Sequence, residues 1–128
     1  MCKILVVDDE PVNLFLYKEF LERAGYGVVM STNGMNVEGL ILSEKPSLIL
    51  LDVKLPVKDG DEIYLDLKKR NPGIFDRLPV FFISAHCNIR EIVSKTGVAV
   101  DDILYKPIDF RHLLGKIKKV CTIENQLC

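Results

Sequence analysis

The stretch S-L-I-L-L-D-V-K-L-P-V-K-D-G, residues 47–60, decides the fold. Leu48, Ile49, Leu50 and Leu51 form a short continuous apolar run, the pattern of a strand covered on both faces in a parallel sheet. The run stops at a charge. Asp52 therefore stands where the strand leaves the core, and Pro56, Asp59 and Gly60 turn the following segment into a loop. A carboxylate at the carboxyl end of a central parallel strand points into the crevice where open α/β sheets bind their ligands.

Upstream, K-I-L-V-V at residues 3–7 repeats the arrangement: a β-branched apolar run that ends in Asp8, Asp9 and Glu10. Pro11 suits the first turn of a helix, and Val12, Phe15, Leu16 and Phe20 recur at helical spacing, predicting an apolar face that ends at Gly25. Residues 28–30 predict a weak second strand. Ser31, Thr32 and Asn33 are turn or cap residues before a helix with Val37, Leu40 and Ile41 on its apolar face, closed by Lys45-Pro46.

Downstream, Ile63, Tyr64 and Leu67 mark a third helix, with Lys68, Lys69 and Arg70 in its last turn, where cations suit the helix dipole. Pro79 opens a fourth strand, residues 80–83, which meets Ser84. Residues 88–97 predict a short helix and residues 103–105 a fifth strand that meets Lys106-Pro107. Phe110, Leu113, Leu114, Ile117, Val120 and Cys121 mark a last helix, followed by a polar tail. Strands alternating with helices imply right-handed crossovers and a parallel sheet covered on both faces. With no repeat or linker in view, residues 1–128 are expected to form one domain.

Composition narrows the function. The net charge of -1 argues against a nucleic-acid surface, which needs a clear basic excess, and Lys116, Lys118 and Lys119 are expected to sit at a helix end instead. No apolar run reaches the roughly 18 residues of a membrane span, and the first strand begins at once, so a cytoplasmic protein is expected. Cys2, Cys87, Cys121 and Cys128 lack metal-ligand spacing and are expected to be separate reduced thiols.

Four of the five expected strands end in polar residues, namely Asp8-Asp9, Asp52, Ser84 and Lys106. Parallel strands point the same way, so these side chains should gather at one edge. Crowded carboxylates repel one another, and a divalent cation relieves that conflict. An oxygen-only ligand set with no His or Cys points to Mg2+ or a similar hard ion. With that screening, a carboxylate can attack a phosphoryl group. Asp52 is then the nucleophile, with Lys106 to meet a phosphoryl oxygen and the Ser84 hydroxyl to donate to another.

The motifs V-V-D-D-E at residues 6–10, L-D-V-K-L-P-V-K-D-G at residues 51–60, S-A at residues 84–85 and K-P at residues 106–107 resemble, in order and spacing, the receiver domains of two-component response regulators, of the chemotaxis-regulator kind. The likeness covers nearly the whole chain. It implies a flavodoxin-like three-layer α/β sandwich, with five parallel strands in the order 2-1-3-4-5 and five helices. It implies Asp52 as the phosphoacceptor, Asp9, Asp52 and the backbone carbonyl of Lys54 as direct Mg2+ ligands, Asp8 acting through water, and a cis Lys106-Pro107 bond.

The partners implied are a sensor histidine kinase or phosphotransfer protein docking on the first helix, where Pro11, Asn13 and Leu14 lie beside the acidic site, and a downstream target or attached output domain. The switching face would be built from the fourth helix, fifth strand and last helix. Such a domain catalyses only its own phosphorylation and dephosphorylation. Where the family usually carries an aromatic switch residue, this chain has Ile103, with Tyr105 next to Lys106; Lys54 and His86 take positions that tune the lifetime of the phosphoryl group. Two rivals are a small Mg2+-dependent phosphatase with an aspartate nucleophile and a binding module that keeps the fold without phosphorylation. The first commonly needs an acid where Lys54 stands; the complete acid, serine and lysine set argues against the second.

Overall fold

The computed structural model describes residues 2–85 and 89–127. His86, Cys87, Asn88 and Cys128, on which some of the expectations above fall, lie outside them. Five strands, β1 (Lys3–Val7), β2 (Gly27–Ser31), β3 (Leu48–Asp52), β4 (Val80–Ser84) and β5 (Ile103–Tyr105), form one parallel sheet in the order β2-β1-β3-β4-β5. Between and after them run α1 (Pro11–Arg23), α2 (Val37–Glu44), α3 (Gly60–Arg70), α4 (Ile89–Thr96) and α5 (Phe110–Leu127), so the expected order and helix count hold.

Alternation along the strands splits the core in two. Leu5, Val7, Ile49, Leu51 and Phe82 face α2, α3 and α4 through Val37, Ile63, Leu67 and Ile92. Ile4, Val6, Leu50, Phe81 and Ile83 face α1 and α5 through Leu14, Leu21, Leu113 and Ile117. All five residues of β3 are buried, as its unbroken apolar run required.

Two expectations need correction. The apolar face of α1 that packs on the sheet is Leu14, Tyr17 and Leu21, whereas Val12, Phe15, Leu16 and Phe20 are exposed. Apolar residues occupy both sides of this helix, so a 3.6-residue period fits two stripes, and spacing alone does not tell which one meets the sheet. The second concerns the end of the chain. The last helix continues to Leu127, and Lys116, Lys118 and Lys119 lie within it instead of at its end. Thr122 to Leu127 contain neither Gly nor Pro to stop a helix.

Turn chemistry otherwise behaves as read. Gly25, at φ 96°, follows α1 in the left-handed region that glycine enters without strain. Asn33 accepts a hydrogen bond from the Met35 N–H and opens the short 3-10 turn before α2. Cations close α3, and Arg70 reaches across to Glu38 of α2 at 3.3 Å. Among the described residues no helix is long and apolar enough to cross a membrane.

Candidate functional site

The strand register builds the site. Val7 pairs with Leu51, Asp52 with Ile83, and Ser84 with Tyr105, so the residues that end β1, β3, β4 and β5 stand side by side at the carboxyl edge. The Asp8 N–H bonds the Ser31 carbonyl (3.1 Å), and the Lys106 N–H bonds the Ser84 carbonyl (2.9 Å), extending the sheet just past its strands.

Asp8, Asp9 and Asp52 come together, with one carboxylate oxygen from each within 4.8 Å of the others. Asp8 and Asp52 are buried, and Asp9 is exposed at the mouth. The Lys106 ammonium donates to Asp52 Oδ2 at 2.6 Å and stands 3.6 Å from Asp8 Oδ2. The Lys54 N–H donates to Asp52 Oδ1 (3.2 Å), the Glu10 N–H to Asp8 Oδ1 (2.8 Å) and the Asn13 side-chain amide to Asp8 Oδ2 (3.3 Å). Ser84 is buried at the end of β4. The Lys106-Pro107 bond is cis. Of the expected site residues, Asp8, Asp9, Asp52 and Lys106 are brought into one cluster, with Lys54 and Ser84 at its border.

Electrostatics shows the cost of this crowding. Burial pushes the Asp52 carboxyl above its ordinary pKa, and the nearby Asp8 charge adds to that; the hydrogen bond and charge of Lys106 oppose the rise without cancelling it. At Lys106 burial works against the charged ammonium, but the bond to Asp52 and the charges of Asp52 and Asp8 outweigh it, so its pKa is raised. Burial thus wins at the acid and ion pairing at the base. Tyr17, below the site, is held well above the ordinary phenol range by burial and by the charges of Asp8 and Asp52, which keeps it neutral.

The donor set fits a hard divalent cation: oxygen atoms only, close enough to share one ion, with two of the carboxylates out of water. Asp8, Asp9 and Asp52 are the groups that would hold it.

The sequence reading missed several neighbours of the site. Asn13 is expected beside the acids as part of the docking helix, but its bond to Asp8 is not. Tyr17 lies outside the helix face that Val12, Phe15, Leu16 and Phe20 define. Beside Lys106 opens a groove of about 430 Å³, bordered by Leu16 and Tyr17 of α1 and by Pro107, Ile108 and Phe110. Phe110 stacks on Phe20 with ring centres 4.2 Å apart. On the other side of the site, Gly60 is pressed against β3 so closely that a Cβ would overlap the Asp52 carbonyl oxygen. Far from the site, Cys2 and Cys121 meet: the Cys2 thiol donates to the Cys121 carbonyl at 3.4 Å.

Residues 4–118 match the family described as the response regulator receiver domain. A curated relative, the DNA-binding dual master transcriptional regulator RpaA of Synechocystis, is 32% identical over 118 residues, covering 92% of this chain and 48% of its own length. The chain thus spans about half of that relative. A CheY-like receiver domain protein from Methanospirillum hungatei superposes with a TM-score of 0.79 at 29% identity, covering 98% of each chain. Response regulator TrrA from Thermotoga maritima, solved in complex with Mg2+ and BeF, gives a TM-score of 0.76 at 28% identity, covering 94% of this chain and 99% of TrrA.

Proposed function

Because the chain belongs to the response regulator receiver domain family of two-component signalling, we propose that Asp52 is its phosphoacceptor and that Asp8, Asp9 and Lys106 make the transfer possible. The observation that carries this reading is the short Lys106–Asp52 contact inside a three-carboxylate cluster. In the transfer, an Asp52 carboxylate oxygen attacks phosphorus on a partner's phosphohistidine. The P–N bond breaks and its electron pair leaves on the imidazole nitrogen. Two anions must approach for this, so the transfer needs the repulsion screened from both sides.

Lys106 screens one side by moving from the carboxylate to a phosphoryl oxygen. Asp9, Asp52 and the Lys54 backbone carbonyl, with Asp8 acting through water, would hold Mg2+, which would supply the opposing positive charge. The Ser84 hydroxyl donates to a further phosphoryl oxygen. The chain catalyses its own phosphorylation and dephosphorylation and no turnover of an external substrate. Lys54, at the rim, shapes the approach of the water that ends the phosphorylated state.

The phosphodonor, a histidine kinase or phosphotransfer protein, docks on α1. Val12, Phe15, Leu16 and Phe20 offer it an exposed apolar stripe, and the groove beside Lys106 leads from that stripe to the acids. The output is a shift in a pre-existing equilibrium of the α4, β5 and α5 face, read by a separate target or by an attached domain. Ile103 is buried in β5, so any switch there is a repacking of an aliphatic side chain. The reading takes the protein to work in the cytoplasm.

Incubation with a small phosphodonor and Mg2+, followed by intact mass, tests this. One phosphate is expected on the wild type, none on Asp52→Asn, and none after chelation. Labelling of Asp52→Asn at the wild-type level would overturn the assignment.

A further inference from the structure

Lys106 pairs with two buried carboxylates, closely with Asp52 and more loosely with Asp8. Its ammonium lies 2.6 Å from Asp52 Oδ2 and 3.6 Å from Asp8 Oδ2, beyond hydrogen-bond distance. Asp8 is 1% exposed, and a buried carboxylate left short of donors would draw in the nearest cation. The protein supplies those donors itself. Asp8 Oδ1 takes the Glu10 N–H, and Asp8 Oδ2, the oxygen that faces Lys106, takes the Asn13 amide.

Asn13 is the third residue of α1, counted from Pro11. At that position a side chain reaches back over the start of the helix, as the last residue of a capping box does. Glu10 precedes α1 without a side-chain cap, so Asn13 does not complete such a box; its amide goes to Asp8. Asn13 also borders the groove beside Lys106.

We propose that Asn13 is a positioning residue for phosphoryl transfer: by filling Asp8 Oδ2 it keeps Lys106 committed to Asp52, where the incoming phosphoryl oxygen will be. The proposal rests on Asp52 as the phosphoacceptor. Without the amide, Lys106 becomes the nearest donor for Asp8 Oδ2. Its balance then moves from Asp52 towards Asp8, so it meets the phosphoryl group less well and competes with the cation for Asp8.

Asn13→Ala is the test, with Asn13→Gln as the variant that keeps an amide. In metal-free protein, the Lys106 side-chain nitrogen resonance should shift in Asn13→Ala and stay near its wild-type position in Asn13→Gln. The Mg2+ dissociation constant of Asn13→Ala, from NMR titration, should rise about ten-fold, the lower end of what losing a group that orients a metal-binding carboxylate costs. Labelling by a small phosphodonor at saturating Mg2+ should also slow, with the melting temperature unchanged.

An unchanged Lys106 resonance and Mg2+ affinity in Asn13→Ala would overturn the proposal. So would a defect seen only with a protein phosphodonor, which would make Asn13 a docking contact, or a glutamine variant as impaired as alanine. If the wild type itself takes no phosphate, the phosphoacceptor reading fails, and the metal-free resonance still decides whether Asn13 steers Lys106.

Discussion

The first four residues of β3 and the segment that follows them obey opposite rules. Leu48 to Leu51 are at most 1% exposed, sit in a regular ladder and face apolar side chains on both sides of the sheet. The next nine residues hold a buried carboxylate, a β-branched residue at φ 70° and a glycine wedged against the strand. One run maximises burial; the other accepts crowded charge and a strained backbone where chemistry needs them. The difference teaches where this molecule is stable and where it is poised, and substitutions can measure both.

The largest effect should come from the strand interior. Leu50 is fully buried between Val6 of β1 and Phe81 of β4, in the half of the core that meets α1 and α5. Leu50→Ala removes that contact and leaves a cavity, for an expected loss of about 2–5 kcal/mol in urea denaturation. Labelling of Asp52 in the remaining folded fraction should not change. A loss below about 1 kcal/mol would mean that the core collapses around the cavity and that the contrast is weaker than the burial implies.

One residue past that core the sign reverses. Burial, helped by Asp8, raises the pKa of Asp52 in the folded protein, so its charged form is disfavoured by folding. A raised carboxyl lets the native state keep a proton that the unfolded chain has lost. Stability therefore falls as pH rises from the ordinary carboxyl value through the folded one, and the penalty persists at neutral pH. Asp52→Asn removes the penalty, while Lys106 keeps Asp8 as a counter-charge at 3.6 Å.

Metal-free Asp52→Asn should be more stable than wild type by about 1–2 kcal/mol at pH 7, since the penalty for charging the buried carboxyl is then gone. The gap should close below the ordinary carboxyl pKa. Mg2+ should raise the melting temperature of wild type more than that of the variant. A variant less stable than wild type at neutral pH would show that Lys106 repays the burial of Asp52 in full.

Most of this contrast was legible in the sequence. An apolar run cut off by an acid marks both the strand and its polar end, because four aliphatic side chains in a row suit a strand covered on both faces and the acid suits its edge. Parallel alternation then gathers Asp8, Asp9, Asp52 and Lys106, and the cis Lys106-Pro107 bond followed from the family resemblance. What escaped was set by orientation. The face of α1 was misread because both Leu14, Tyr17 and Leu21 and Val12, Phe15, Leu16 and Phe20 satisfy helical spacing. Asn13 could be placed beside the acids but not bonded to one, because its partner is an oxygen five residues away across a turn. The left-handed backbone at Val57 was hidden too, since a valine gives no hint of positive φ.

That valine offers the smallest and sharpest test. Val57 has φ 70°, and the Lys58 N–H bonds the Pro56 carbonyl at 2.8 Å, which together describe the rare γ-turn with positive φ. Its side chain is 98% exposed, so no packing offsets the strain. Glycine relieves roughly 1–2 kcal/mol of left-handed strain and returns part of that through the freer unfolded chain. Val57→Gly should thus gain about 0.5–1 kcal/mol in denaturant unfolding. Labelling by a small phosphodonor should hold at the wild-type rate if the turn serves only to carry the chain from Asp52 to α3. A slower rate alongside the gain would instead make the strain part of how the loop presents Lys54 to the site. A loss of stability would show that the valine is not strained there, and the loop after β3 would then be as well adapted to its backbone as the strand before it.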